Sequence, residues 1–509
     1  MSLTKVTYSM IQGSAINVLD YGVLADGTTN NTTTLAAALA AVPTNGTLYF
    51  PAGVYCGYLL LRRSDITIMG DGSASTILKL PNNCPAITVP HDGVPNPITG
   101  LPNVIEIGEC ALGNTANLYE RINVVGLTLD GNYTNNIAPT TDLFGHGMIL
   151  TKASHCFIDD VVAKNCFLTG VDIVINSNYN TVNVKTIDCG NADLGGGSYY
   201  PNFDINSSKH CHFNVVSEGG KYSGRMLDNC WGNTLTLTGY NPLYTGLVYD
   251  NQSVNFSYAN IINVTIVDGC TLGQGVSIGV NCSNSQINAT IQNVDGVGFF
   301  VNGGASLPAS GNTFNVNTYQ CGAAGVSAGA NCNYNQFNIV SKEDGRAGVS
   351  GSSFAIDFDG SDNNQIKAII QEGAVSQVRG LIFRSGANNN SLVDFIFDSN
   401  LVEVVNNLGT GNFINFPEGV AVSVASAATI IIPFNGSLIP ITGTSDIADI
   451  FAGVNAGRLI TLQFADSLTV FSTSNIKLSG GANFSATADD TLTLICDGTN
   501  WIEVARTVI

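Results

Sequence analysis

Between about residues 155 and 394 the chain alternates apolar and polar positions in short runs, and each run opens on a polar turn residue. Asn180 leads into Val182 and Val184, Cys211 into Phe213 and Val215, and Asn233 into Leu235 and Leu237. The theme continues with Asn260 before Ile262 and Val264, Ser285 before Ile287 and Ala289, and Asn312 before Phe314 and Val316. It closes with Asn335 before Phe337 and Ile339, Asn364 before Ile366 and Ala368, and Asn390 before Leu392. A period of two is that of a strand with one buried face. The leading apolar residues of successive runs lie 22 to 31 positions apart, a spacing that signals a solenoid. Units this short leave no room for helices. The pattern predicts stacked β coils, each hydrogen-bonded to the next at about 4.8 Å.

A second strand precedes each of these turns. In order, such strands carry Asp172, Asp204, Arg225 with Asp228, and Tyr249 with Asp250. Later ones carry Ser277, Phe300, and then Asp357 with Asp359. Equivalent positions of successive coils stack, so the acids and the arginine of residues 170–250 are expected to share one neighbourhood. Two long insertions, 189–202 and 239–245, fall in the same stretch, and long loops on a rigid scaffold are where function concentrates.

Outside the coils the patterning changes. Residues 1–20 read as a lead-in. A helix is expected near 31–42, where an Ala- and Leu-rich run follows Asn and Thr caps. Coils are expected from 21 to 416. From 417 to 509 short alternating strands predict a separate antiparallel β domain.

Composition narrows the function. Only 11% of the 509 residues are charged and 56 are Gly, and the net charge is −19. Nucleic acid is excluded as a partner by the scarcity of basic residues. The 13 Cys, an odd number, with Cys230, Cys282 and Cys332 each following Asn at equivalent turns, read as buried thiols rather than a disulfide framework. No metal-ligand spacing occurs and no cofactor motif is present. No apolar run approaches the length of a membrane span, and the first residues show no secretion-signal core.

The N-terminal motifs carry a resemblance. Asp20, Tyr21 and Gly22 form a turn, Asp26 and Gly27 precede the helix, and residues 46–55 run Gly-Thr-Leu-Tyr-Phe-Pro-Ala-Gly-Val-Tyr. This opening resembles the entry of the pectate-lyase-like superfamily of right-handed parallel β-helices, in the form found in bacteriophage tailspikes. The match is close over about 15–80 and by pattern to about 410. The resemblance implies an all-β solenoid with a short capping helix. It also implies a homotrimer and a C-terminal domain for trimerisation or glycan binding. The partner would be a bacterial capsular polysaccharide or a lipopolysaccharide O-antigen, met at the virion tail after folding in the host cytoplasm. The short lead-in departs from tailspikes with a large head-binding domain and leaves two expectations open, a shortened chain or a spike that docks onto another tail protein.

Glycoside hydrolysis needs two carboxylates about 5 to 9.5 Å apart, which adjacent or alternate coils can supply. Asp172, Asp204 and Asp228 are therefore the candidate catalytic acids. Single acids at strand ends also serve as turn formers, the reading given to Asp130 and open for Asp228 and Asp250. Arg225 is a candidate for binding a sugar carboxylate or hydroxyls, or for pairing with Asp204 or Asp228. Tyr199, Tyr200, Trp231, Tyr244 and Tyr249 are candidate sugar-stacking residues. A reserve site comprises Glu343, Asp344, Arg346, Asp357 and Asp359. His146, His155, His210 and His212 are dispersed in sequence. Two alternatives stand beside hydrolysis: a spike that only binds its receptor, and a polysaccharide lyase using Lys221, Tyr222 and Arg225.

Overall fold

The alternating runs form parallel strands, and their leading apolar residues fall in register. Val182, Phe213, Leu235, Ile262, Ile287, Phe314, Phe337, Ile366 and Leu392 are successive partners in one 18-stranded parallel sheet. The computed structural model describes residues 15–509 apart from 90–97, 110–116, 140–143, 191–199, 252–256, 346–353, 372–378, 398–404, 416–418, 422, 434–435 and 452–456. The second strands form a 13-stranded parallel sheet from Leu59–Leu61 to Val405–Asn407. A four-stranded ladder from Ser257–Tyr258 to Cys332–Asn333 lines the corner between the two. The chain is an all-β parallel β-helix.

The corner explains the recurring Asn. One residue before each Asn, and before Cys211 in the same slot, the backbone is left-handed: φ is 58° at Tyr179, 54° at His210, 59° at Tyr334 and 57° at Asn363. Gly232 and Gly311 take the same slot at 66° and 68°, where glycine meets no steric penalty. The sharp turn pulls backbone groups out of the sheet ladders and into the interior. The Asn side chain satisfies them. Nδ2 of Asn260, Asn335 and Asn364 donates to the carbonyls of Cys230, Ala309 and Cys332 at 2.9, 3.0 and 2.8 Å. The Oδ1 atoms of Asn260, Asn335, Asn364 and Asn390 accept the N–H groups of Asn233, Asn312, Asn335 and Asn364 at 2.9 to 3.0 Å. Cys211 and Ser285 substitute with weaker versions, accepting the N–H groups of Asn180 and Asn260 at 3.3 and 3.2 Å.

The interior is otherwise apolar. Phe299, Phe314, Phe337, Phe358 and Phe383 pack in sequence with ring centroids 4.9 to 5.6 Å apart. The described cysteines are free thiols, and all but Cys84 are buried. One interior acid breaks the pattern. Asp344 is fully buried, accepting from Thr318 Oγ1, Ser341 Oγ and the Cys321 N–H at 2.5, 2.6 and 2.8 Å. Burial pushes its pKa up, against the pull of these hydrogen bonds. Asp344 is thus inside the coil, and the reserve site loses it.

The helix spans Thr32–Ala41 and buries Leu35, Ala38 and Leu39 over the first coils. Asn30, one residue before the N-cap Asn31, accepts the Thr32 N–H on its Oδ1 at 3.0 Å. Residues from about 420 onward build a second apolar cluster, from Ala421 to Trp501. The expectation of antiparallel strands there needs correction, because the six-stranded sheet is mixed. Leu438–Thr442 pairs parallel to both Val424–Ala425 and Leu459–Phe464, whereas Thr491–Cys496 runs antiparallel to its neighbours. The segment joining Leu438–Thr442 to Leu459–Phe464 is long enough to return the chain to the same end of the sheet, which a tight hairpin cannot do.

Two outcomes test this account. Asn335→Ala removes the partners of the Ala309 carbonyl and the Asn312 N–H inside the protein, and at about 1–3 kcal/mol per orphaned group should destabilise by about 2–5 kcal/mol. Asn338→Ala, on the exposed face of the same strand, should cost about 1 kcal/mol or less. Equal shifts in urea-unfolding midpoint for the two variants would refute the ladder. Asp344→Asn removes a carboxyl whose folded pKa is raised, so wild type loses that stabilisation as pH rises past the ordinary carboxylate range. The variant should gain stability relative to wild type between acid and neutral pH. A pH-independent difference in unfolding midpoint would contradict the assignment.

Candidate functional site

Strand alternation in the 13-stranded sheet turns one column outward. Val171 and Ile173, Phe203 and Ile205, and Leu247 and Tyr249 all belong to the apolar core. The residues between them, Asp172, Asp204 and Val248, therefore face away from it. Register stacks this column as Glu106, Ile149, Asp172, Asp204, Arg225 and Val248. Asp172 and Asp204 are direct partners on adjacent strands, about 4.8 Å apart by sheet geometry.

The column is charged but recessed. Asp172 and Asp204 are only 7% and 4% exposed, although they point outward. Arg225 forks onto Asp204, with Nε to Oδ1 at 3.1 Å and the second nitrogen to Oδ2. Burial opposes the Arg225 charge, but Asp204, Asp172 and Tyr200 around it more than offset this, so its pKa is raised and it stays protonated. On the other side of Asp172, His146 Nδ1 sits 3.7 Å from Asp172 Oδ2. Asn103 joins the backbone of His146 to Glu106: its Oδ1 accepts the His146 backbone N–H at 3.0 Å, and its Nδ2 donates to Glu106 Oε2 at 3.2 Å. Both Glu106 and His146 are buried.

The other candidates separate into three places. Tyr222 and Tyr244 stack with centroids 5.9 Å apart and an interplanar angle of 19°. They and half-buried Tyr200 flank the acidic column at the start of its strands. Asp228 lies past the other strand end at φ 36°, three residues and about 10 Å along the backbone from Arg225. It is not brought together with Asp172 and Asp204. Trp231 lies beyond the corner, stacked on Tyr258 at 5.7 Å and edge-on to His210 at 4.3 Å. His210, Tyr179 and His155 continue that stack at 5.3 and 5.1 Å. Tyr249 is the clear correction. It points into the core, where its hydroxyl meets Asn260 Nδ2 at 2.9 Å and Ser285 Oγ at 3.2 Å, so it cannot reach a glycan. Tyr199 and Arg346 lie outside the described residues.

Glu106 and His146 are absent from the sequence-based site. Glu106 is a lone acid within the apolar stretch of residues 104–107, and that is the only signal it gives. From Glu106 to its partner Ile149 the chain runs 43 residues, against 23 from Ile149 to Asp172, so the repeat is invisible there. Of the reserve acids, Asp357 stands lower in the outward column and is forked by Arg384 at 2.6 and 2.8 Å. Among the described residues no group of three or more His, Cys, Asp or Glu side chains is placed to hold a metal ion.

Residues 15–140 match the family model described as rhamnogalacturonase A/epimerase, pectate lyase-like. No curated protein matches the chain. Among solved structures, an N-terminal fragment of bacteriophage Phi29 gene product 12 aligns at 14% identity over 91% of this chain and 81% of that one, with a TM-score of 0.52. The Azotobacter vinelandii mannuronan C-5 epimerase AlgE6 A-module aligns at 16% identity over 79% of this chain and 100% of that one, with a TM-score of 0.49. A family 28 exopolygalacturonase of Yersinia enterocolitica aligns at 13% identity over 77% and 78%, with a TM-score of 0.40. The chain is thus a parallel β-helix whose first coils carry the pectate lyase-like family pattern.

Proposed function

We propose that the protein is a spike that acts at a virion tail and cleaves a bacterial surface polysaccharide, capsule or O-antigen, by glycoside hydrolysis at the Asp172–Asp204 column. The observation that carries this reading is the direct register of the two carboxylates on adjacent outward positions. Their rung spacing of about 4.8 Å is near the 5–5.5 Å of a retaining pair. Asp204, held in place by the two-point contact from Arg225, serves as nucleophile toward the anomeric carbon. Asp172, beside His146, then serves as acid toward the leaving oxygen and as base toward the water that releases the sugar. Tyr200, Tyr222 and Tyr244 offer ring surface at the flank of the column for adjoining sugar units. The bacteriophage protein among the neighbours in fold supports a phage setting.

A second reading rests on a specific contact. His146 against Asp172, with a cation two rungs away at Arg225, also suits proton abstraction beside a uronate carboxylate, as in a lyase or an epimerase.

The test is digestion of polysaccharide from a susceptible host, followed by size-exclusion chromatography and reducing-end assay. Asp172→Asn and Asp204→Asn should each slow chain shortening by about 10²-fold or more, with the oligomeric state unchanged. New ultraviolet absorbance from unsaturated uronate ends would select elimination over hydrolysis. Full activity in both variants would move the site away from the Asp172–Asp204 pair, with Asp357 and Arg384 lower in the same column next in line.

A further inference from the structure

Beyond the turn that ends each strand of the 13-stranded sheet, one row of the corner is aromatic. His155, Tyr179, His210, Trp231 and Tyr258 follow one another on five successive coils. The N–H groups of His155, Tyr179, His210 and Gly232 bond to the carbonyls of Asn178, Lys209, Trp231 and Tyr258 on the next coil. His155, Tyr179 and His210 stack with 13° between adjacent rings. Trp231 and Tyr258 stack with 4° between them, and Lys209 Nζ stands 5.4 Å from the centroid of Trp231. Gly232 lets the two sets meet. A Cβ there would lie 2.7 Å from His210 Nδ1, so glycine leaves room for the imidazole where it packs edge-on to Trp231. The rings hold one another in place, yet Tyr179 and Tyr258 are 54% and 40% exposed.

The row keeps to the coils of the acidic column. Ile149, Asp172, Asp204 and Arg225 are followed, after six or seven residues, by His155, Tyr179, His210 and Trp231. Val248 and Tyr258 stand on the next coil, as the partners of Arg225 and Trp231. On the two coils after that, Ser283 and Ser310 take the place of Tyr258. Further down, among the described residues, Tyr334 brings a ring back to this slot of the corner, three coils below Tyr258. Coils that carry serine in this position keep the same register, so the rings are not a requirement of the fold. Their restriction to the coils of the Asp172–Asp204 column points to a ligand that those coils share.

We propose that this row is a second polysaccharide-binding site, a track that grips the glycan on the coils where the column cleaves it but around the turn from the column itself. The identity of the ligand rests on the polysaccharide reading above; the track adds a place for it that the column does not supply. Shape selects a linear ligand. The row is about 19 Å long by rung spacing and one side chain wide, far short of the ~800 Å² that a stable protein partner buries. Chemistry then selects sugar. Aromatic faces take the apolar faces of pyranose rings, while Tyr, His and Trp edges hydrogen-bond hydroxyls. A single-stranded nucleic acid also stacks on rings, but it needs a basic groove, and this row offers Lys209 in a chain of net charge −19. Because the rings are already fixed by one another, little side-chain freedom is lost on binding.

Tryptophan fluorescence isolates the row, because the chain has two Trp and the other, Trp501, is fully buried in the C-terminal cluster. Polysaccharide purified from a susceptible host, titrated into the full chain on ice, should change Trp231 emission saturably. Tyr179→Asn keeps a residue that accepts the φ of 58°, and Tyr258→Ser installs the residue of the next two coils. Each should raise the dissociation constant for that polysaccharide about tenfold in affinity electrophoresis, and if one variant does not fold the other decides. Tyr334→Asn makes the same change in the same slot, at φ 59°, away from the row, and should bind like wild type. Wild-type affinity in a folded Tyr179 or Tyr258 variant overturns the track, as does an equal loss in Tyr334→Asn. Asp204→Asn separates the track from hydrolysis. A retained Trp231 response with full cleavage in that variant removes the column and leaves the track. Cleavage by wild type with Trp231 emission unchanged overturns the track alone, and neither binding nor cleavage overturns both.

Discussion

The whole solenoid depends on how one buried corner meets its hydrogen-bond obligations. A coil of some 26 residues must turn sharply, and a sharp turn withdraws backbone N–H and C=O groups from the ladders of the flanking sheets. Left unpaired in the interior, each such group would cost about 1–3 kcal/mol, and the loss would recur at every coil. A side-chain amide is suited to the task because it donates and accepts at once, so one Asn takes both a carbonyl and an N–H of the preceding coil's corner. The chain of Asn233, Asn260, Asn335, Asn364 and Asn390 is therefore a spine that sets the register. Once register is set at the corner, the apolar columns stack without further instruction.

That spine is also why the fold was readable in advance. The residue that opens each alternating run is the one that makes the corner bonds, so phase and function of the repeat coincide. The reading faltered where another constraint governed. Tyr249 looked like a groove aromatic, yet alternation places it inward, and the Asn260 and Ser285 partners make its hydroxyl tolerable there. Asp228 shared a strand with Arg225 in sequence, but the turn carries it past the end of that strand. The parallel pairs of the C-terminal sheet depend on how long connections run, and short alternating runs carry no record of that.

The candidate site shows the same division. Asp172, Asp204 and Arg225 lie on coils of nearly regular length, so stacking equivalent positions brought them together correctly. Glu106 and His146 enter through the longest coil of the early stack, where spacing gives no guidance. Only the folded chain brings them there, Glu106 by its register with Ile149 and His146 by its approach to Asp172. The outward column is free to carry acids, a base and a cation because the inward columns beside it hold the packing. Chemistry and stability thus occupy alternate residues of the same strands, and a change in one need not disturb the other.

The column of interior thiols has a consequence for durability. Burial pushes Cys156, Cys230 and Cys270 up to about 12 and Cys211 to about 11. Oxidants and alkylating agents act on the thiolate, a form these residues hardly populate near neutral pH. These buried thiols can therefore meet an oxidising medium with their sulfur chemically silent. Their tolerance of it is set by packing.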